Sequence, residues 1–226
     1  MKIIAVETAT HICGVALSED NHLVAEYRMN QKNVHNERLV SAIQCLMEDT
    51  KWDLEDLDGI AVSVGPGAFT GLRIGIAVCK GLAFTLDIPL VAVNTLDALA
   101  YQAHLWTGQI CSIIKAKEGE AYFALYNRTP ETLQRCSDYQ IINIEELGNF
   151  LEERTLVVAV PQREYLTLKN NKIVFAPPEV ATLIPFTIAE LGYLRIKAKE
   201  FEDLESVEPF YLKEFVPKRK VYYGVQ

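Results

Sequence analysis

The sequence predicts an α/β protein built from two lobes of similar organisation, and two observations carry this prediction. Strand-like and helix-like spacings of apolar residues follow one another along the chain, and the order of three strands and then a helix occurs twice. The chain has 226 residues and 50% of them are hydrophobic. A chain of this size and composition can bury one large core or two smaller ones.

The first lobe is predicted over residues 1–104, with a hinge near residues 104–110. β-Branched and apolar runs predict its strands, and the helix over 37–48 has Leu39, Val40 and Ile43 on one face. Pro89 ends the longest helix, because proline cannot continue one. Strands are expected at 2–7, 14–18, 22–28, 59–64 and 90–93, and helices at 37–48, at 70–86 and from Thr95 onward.

The second lobe is predicted over residues 105–204 and repeats this order, while residues 205–226 are expected to pack back onto the first lobe. Its strands are expected at 110–114, 121–126, 135–142, 156–160 and 172–175, and its helices at 144–153 and 183–199. Two such lobes, each a ribonuclease-H-like subdomain, are typical of the actin-like and sugar-kinase-like (ASKHA) superfamily. A fold of this kind does not establish a function.

Charge and cysteine usage favour a cytoplasmic protein. A net charge of −8 disfavours direct gripping of a phosphate backbone. The basic cluster Lys213, Lys218, Arg219 and Lys220 is interpreted as a solvated tail. Five scattered cysteines fit free thiols in a reducing compartment. The first apolar run is too short for a signal peptide, and no apolar stretch is expected to approach the roughly 20 residues that span a bilayer.

The turn after strand 59–64 is the strongest local motif. Gly65 and Gly67 lead into a helix, and bare amides at a helix start can bind an anion. Glu7, Thr8 and Thr10 follow the first strand, where actin-like kinases face the nucleotide phosphates. These five residues are candidate phosphate-binding turns. The alternative is a pair of plain turns, and the spacing matches neither Gly-x-Gly-x-x-Gly nor a P-loop.

Helix 70–86 carries small residues in rows. Gly71, Gly75, Cys79 and Ala83 lie four apart, and Ala77 and Gly81 form a second row. Each glycine inside a helix costs up to ~1 kcal/mol, so repeated glycines indicate close approach of another element. The helix is apolar nearly all round and must be covered nearly all round. Its cover is either helix 37–48 or a partner chain.

The sequence offers no complete catalytic or metal site. None of His11, His22, His35 and His104 is paired at i, i+4 with another histidine, and position 39 is leucine where a second ligand to His35 would stand. There is no Gly-x-Ser-x-Gly motif and no cysteine in an activating context. We therefore expect no catalytic residue and no metal ligand in this chain.

Four segments of the first lobe resemble the bacterial TsaB (YeaZ) family, which takes part in tRNA threonylcarbamoyladenosine synthesis. They are residues 4–10 (IAVETAT), 35–39 (HNERL), 63–75 (SVGPGAFTGLRIG) and 94–100 (NTLDALA). The second lobe matches loosely, through residues 119–122 (GEAY) and 209–213 (PFYLK).

The resemblance implies an accessory subunit that binds and activates a homologous, metal-binding catalytic subunit, TsaD, with the ATPase TsaE as a third component. It implies tRNA contact only through that complex, a possible homodimer of the free chain, no cofactor on this chain alone, and ATP or ADP only at the complex interface. The two first-lobe helices form the interface in the family. The implied interface residues here are His35, Leu39, Ile43, Met47, Phe69, Thr70, Gly71, Arg73, Gly75, Ile76, Cys79 and Lys80.

Two other functions stay open at this point. A stand-alone nucleotide-dependent ATPase or transferase fits the fold pattern. Glu7 in place of aspartate, Lys115 and Lys117 in the second-lobe turn, and Pro161 and Gln162 where glycine is common all argue against a nucleotide site. A peptidase is the third alternative, and the missing nucleophile and zinc motifs argue against it.

Overall fold

The computed structural model describes residues 1–31, 34–161, 165, 168 and 170–212. The strands are β1 Lys2–Glu7, β2 Ile12–Glu19, β3 His22–Asn30, β4 Gly59–Gly65, β5 Leu90–Asn94, β6 Gly108–Lys117, β7 Glu120–Arg128, β8 Leu133–Arg135, β9 Gln140–Asn143, β10 Thr155–Val160 and β11 Ile173–Phe175. The α-helices are α1 His35–Thr50, α2 Phe69–Leu86, α3 Thr95–Gln102 and α4 Pro185–Lys197, with 3₁₀ helices at Leu54–Asp56 and Ile144–Phe150.

Within the described residues, the strands form two mixed sheets with the same order, which confirms the predicted two-lobed actin-like fold. Sheet 1 has the order β3-β2-β1-β4-β5, and sheet 2 has β8-β7-β6-β10-β11, with β9 also paired to β7. In each sheet the first two strands are antiparallel, and the first strand pairs in parallel with the strand after the crossover. The repeat in the sequence is therefore a repeat of topology.

The position of each strand in sheet 1 explains how far it is buried. β1 lies between β2 and β4 and is buried from Ile3 onward, whereas β3 is an edge strand and is half exposed. The β2–β3 hairpin turns on Asp20 and Asn21, which both have positive φ. α1 and α2 cover one face of sheet 1, and α3 and α4 lie between the two sheets.

The space between the lobes is filled by one continuous apolar core. This cluster joins Ile3 and Ala61 of sheet 1 to Ala124 and Val158 of sheet 2 through the side chains of α3 and α4. Asp97 at the start of α3 adds polar contacts to the second lobe, because it accepts hydrogen bonds from the hydroxyls of two tyrosines, Tyr126 and Tyr139, at 2.8 Å each. The described parts of the two lobes are thus packed against each other over a shared core.

Helix α4 lies in the range that the sequence assigns to the second lobe, yet it packs on the sheet of the first. A Cβ at Gly192 would collide with Ala61, and Arg195 Nη1 donates to Ala92 O at 2.6 Å. At the other end of α4, the Phe186 amide donates to Glu26 of β3 at 3.0 Å. The boundary at residue 204 therefore separates α4 from the sheet that it covers, and α4 belongs structurally to the first lobe.

Two predicted elements of the second lobe differ in the structure. The expected helix over 144–153 is a 3₁₀ helix, Ile144–Phe150, with Gly148 in its interior lowering the propensity for an α-helix. The expected strand over 135–142 is split into β8 and β9, because residues 136–139 lie opposite only 124–125 of β7. Ser137 Oγ accepts the Leu125 amide there in place of a strand partner. Gln162 and the basic cluster Lys213, Lys218, Arg219 and Lys220 lie outside the described residues.

Candidate partner interface

Two turns meet at the ends of the central strands of sheet 1: residues 8–11 after β1 and residues 66–68 after β4. A Cβ at Gly67 would collide with Ala9 O, and a Cβ at Gly71 would collide with Thr8 O. The Ala68 amide donates to Ala9 O at 2.7 Å. An anion at this helix start would need that amide, which the chain's own backbone already uses. The geometry thus argues against the predicted phosphate role of Gly67, and Gly65 is closed in by Leu72 and Phe210 O.

The carboxyl group of Glu7 is fully buried and organises the first of these turns. Its Oε1 accepts hydrogen bonds from the amides of Ala9 at 2.9 Å and Thr10 at 3.1 Å, and from the Thr10 hydroxyl at 3.3 Å. Burial raises the pKa of Glu7 to about 7, although the Ser63 hydroxyl and the turn amides oppose the shift. Glu7 and Thr10 therefore serve the turn itself.

The predicted glycine row of α2 faces its own lobe. Gly71, Gly75, Cys79 and Ala83 are all buried, and a Cβ at Gly75 would collide with Thr8 Oγ1. Burial raises the pKa of the Cys79 thiol strongly. The close approach that the glycines predict is real, but the approaching element is the β1–β2 turn. The burial of Gly71, Gly75 and Cys79 against the chain's own turn argues against contact of this row with a partner chain.

The opposite side of α2 is open. Ala77, Gly81 and Phe84 are exposed, Phe84 to 81%, and apart from its chain neighbours and the backbone of the helix itself, no described atom lies within 4 Å of a Cβ built at Gly81. On α1, Val40 is 60% exposed. We call these four residues the open face. It presents two largely exposed apolar side chains, Val40 and Phe84, beside two small residues.

Helix α2 carries more apolar residues than the described fold buries. By length and composition it could cross a membrane, with mean hydropathy 1.4 over 18 residues, of which 33% are buried. This corrects the expectation that no apolar stretch approaches such a length. In the fold, the buried side of α2 packs on β4, β1 and β5. The apolar side chains of α2 that stay exposed are the ones that another surface would have to cover.

An apolar groove continues the open face between α1, α2 and the segment that follows α1. Its volume is about 630 Å³. The groove is lined by Val40, Ile43, Gln44, Met47, Glu48, Lys51, Trp52, Asp53, Leu54, Glu55, Val78 and Leu82. Lys51, Asp53 and Glu55 place charges at its rim, so a partner would meet an apolar floor and a polar border.

The C-terminal segment, residues 203–212, borders the open face on its other side. Lys80 Nζ donates to Val207 O at 3.2 Å, and Arg73 Nε donates to the Tyr211 hydroxyl at 3.2 Å. The ring of Tyr211 stacks on Phe69 with centroids 5.3 Å apart. Phe69, Arg73 and Lys80 are thus occupied by the chain's own C-terminal segment.

The structure buries most of the predicted interface residues. His35, Leu39, Ile43, Met47, Gly71, Gly75, Ile76 and Cys79 are buried, while Phe69, Thr70, Arg73 and Lys80 reach the surface at least in part. Ile43 and Met47 still contribute to the groove floor. Sequence reasoning did not single out Phe84, although the second small-residue row of Ala77 and Gly81 lies on the same exposed side of the helix. Among the described residues, no group of three His, Cys, Asp or Glu side chains could hold a metal ion.

The model of a family described as TsaD, tRNA N6-adenosine threonylcarbamoyltransferase, matches residues 22–220. The chain is 34% identical over 154 residues to the tRNA threonylcarbamoyladenosine biosynthesis protein TsaB of Bacillus subtilis, covering 68% of this chain and 67% of that protein. The chain belongs to the TsaB (YeaZ) family. The TsaB protein of Escherichia coli is 35% identical over 130 residues, or 57% of this chain and 56% of that protein.

A solved structure of this family shares the whole fold. YeaZ from Pseudomonas aeruginosa superposes with a TM-score of 0.78 at 25% identity, covering 93% of this chain and 99% of that one. The two lobes, the shared core and the placement of α1 and α2 on one face of sheet 1 are therefore features of a TsaB-family fold. Membership in the family places the chain in tRNA threonylcarbamoyladenosine biosynthesis.

Proposed function

We propose that this chain is a non-catalytic subunit that binds a TsaD-type threonylcarbamoyltransferase and holds it in its active arrangement. The proposal places it in the cytoplasm, with tRNA reached only through the complex. One observation carries it: the open face of Val40, Ala77, Gly81 and Phe84 adjoins an apolar groove of about 630 Å³. The anchors that dominate protein–protein affinity are side chains, often aromatic, that become fully desolvated in well-packed pockets.

The interior of the chain supports a positioning role over a catalytic one. The described parts of the lobes share a continuous apolar core, and the Gly67 turn after β4 is filled by the backbone of Ala9. The stand-alone ATPase or transferase therefore lacks a supporting observation in the cleft, and we assign this chain no cofactor. ATP or ADP, if used by the complex, would bind at the subunit junction or on another subunit.

The match to the TsaD family model supports the choice of partner. A homologous subunit carries the equivalent helices, and two helix pairs can pack against each other as a bundle with each pair covering the other. The same chemistry permits a homodimer of the free chain through the same face. The TsaE ATPase is proposed as a further component, with no contact assigned on this chain.

The test is a titration of the full chain with the TsaD-type subunit from the same organism. Phe84→Glu and Val40→Glu each place a charge in the proposed contact, so the dissociation constant should rise at least tenfold. Leu105→Glu is the matched control, because Leu105 is 92% exposed and belongs to the segment that connects α3 to β6 rather than to α1 or α2. Equal affinities for all three variants would overturn the proposal. So would a wild-type chain that does not bind.

A further inference from the structure

The starts of the two helices that form the open face are linked by a single buried turn. On the α2 side, Thr8 and Ala9 fill the surfaces left by Gly67, Gly71 and Gly75. Because those contacts leave no room for even a methyl group, the position of the turn fixes the position of the first half of α2.

The same turn reaches α1 through a histidine. His35 is the first residue of α1, is 8% exposed, and its Nε2 donates to Ile12 O at 3.0 Å. Val34, which caps α1, makes no side-chain capping hydrogen bond. The bond between His35 and Ile12 is therefore a specific polar anchor of the α1 start on the β1–β2 turn.

The Glu7 carboxyl lies at the centre of this arrangement. Besides its bonds to Ala9 and Thr10, it is connected to Ile12, because the Thr10 hydroxyl that donates to Glu7 also accepts the Ile12 amide at 3.1 Å. A continuous hydrogen-bonded path runs from Glu7 through Thr10 and Ile12 to His35. Every residue on it is buried.

We propose that Glu7 is a positioning residue: through the turn at 8–12 it sets the placement of α1 relative to α2, and so the shape of the open face. Its consequence for binding rests on the proposed function, whereas the placement of the helices does not. Removing the carboxyl leaves the Ala9 and Thr10 amides without an acceptor in a buried site, and the turn must rearrange to satisfy them.

The first arm of the test measures the helix placement in the full chain. Spin labels at Cys45, exposed on α1, and at Gly81→Cys on α2 report the distance between the helices, with Cys136→Ser removing the other exposed thiol. Glu7→Ala should shift or broaden the distance distribution. Glu7→Gln keeps an oxygen that can accept the same bonds, so it should restore the wild-type distribution.

Glu26→Ala is the matched control for this arm. Glu26 is also a largely buried carboxylate of sheet 1, but it accepts the Phe186 amide of α4 rather than bonds from residues 8–12. Its distance distribution should equal that of the wild type. If Glu7→Ala does not fold, His35→Leu and His35→Gln test the same path, since glutamine retains a donor and leucine does not. An unchanged distribution in Glu7→Ala, or in His35→Leu, would overturn the inference.

The second arm measures affinity for the TsaD-type subunit with unlabelled chains. Glu7→Ala should weaken binding at least tenfold, and Glu7→Gln should stay within threefold of the wild type. A wild-type chain that fails to bind overturns the proposed function and leaves the distance arm to decide the role of Glu7. A Glu7→Gln variant as impaired as Glu7→Ala would show that the acceptor oxygen is not what positions the helices, and would overturn the inference.

Discussion

The two sides of helix α2 have similar composition and opposite environments. One side carries Gly71 and Gly75 and is pressed against the β1–β2 turn, while the other carries Ala77 and Gly81 and meets no described neighbour at Gly81. Small residues thus serve close packing inside the lobe on one side and leave an accessible surface on the other. A glycine inside a helix is therefore compatible with close packing against another element or with an uncovered surface. The glycine alone does not distinguish the two.

The largest expected effect on stability concerns the β1–β2 turn, which packs against the buried side of α2. The Glu7 carboxyl ionises near 4.5 when unfolded, and its pKa is raised to about 7 in the fold by burial. Between these values the folded state binds more protons, so raising the pH favours unfolding. Ionisation of Glu7 should lower the free energy of unfolding by about 3 kcal/mol between pH 4.5 and pH 7. Above pH 7 the loss should level off.

Chemical denaturation of the wild type and Glu7→Gln across this pH range measures that contribution. Glu26 and Glu190 also have a pKa raised by burial, so the difference between the two chains isolates Glu7. If the free energy of unfolding changed with pH by the same amount in the two chains, the raised pKa assigned to Glu7 would be contradicted.

The next effect breaks the buried side directly. Gly71→Ala places a methyl group against the backbone oxygen of Thr8, which cannot move without the whole turn. The free energy of unfolding should fall by about 2 kcal/mol, as is usual for overpacking in a tight core. Urea denaturation measures the loss. A variant as stable as the wild type would show that the turn is loosely held.

The corresponding glycine-to-alanine substitution on the open side of α2 should stabilise the chain instead of destabilising it. Gly81→Ala introduces a methyl group with no described atom within 4 Å, and alanine is the better helix former. The free energy of unfolding should rise by up to ~1 kcal/mol. Destabilisation by Gly81→Ala in the same urea series would mean that the open side is covered within the isolated chain.

The smallest effect on stability is expected at the most exposed aromatic of the open side. Phe84→Ser removes a side chain that is 81% exposed, so the free energy of unfolding should stay within about 0.5 kcal/mol of the wild type. Thermal or urea unfolding of the isolated chain checks this. A loss comparable to that of Gly71→Ala would place Phe84 in the fold rather than on a binding surface.

Local patterns predicted the order of elements well. The buried run of β1, the end of α2 before Pro89 and the repeat of strands follow from hydropathy spacing and proline geometry. The helix expected over 144–153 is the shorter 3₁₀ helix Ile144–Phe150, because a short stretch with an internal glycine carries little information on helix type.

The candidate site was predicted only in part, for a reason that lies in α2 itself. Apolar and small residues surround nearly the whole helix, so spacing alone cannot tell which side faces sheet 1. The contact that decides it, between Thr8 and Gly75, joins residues far apart in the sequence. Long-range contacts of this kind also placed α4 on the first lobe, where sequence order had assigned it to the second.

The most direct test of the account is thiol labelling of the open face with and without the TsaD-type subunit. Ala77→Cys in a Cys45→Ser background places a thiol on the open side of α2, and exposed Cys136 in the second lobe is the internal control. Buried Cys79 and Cys111 have raised pKa values and should not react. The subunit should slow labelling at position 77 at least tenfold and leave Cys136 unchanged. Unchanged labelling at position 77 in a formed complex would contradict the account.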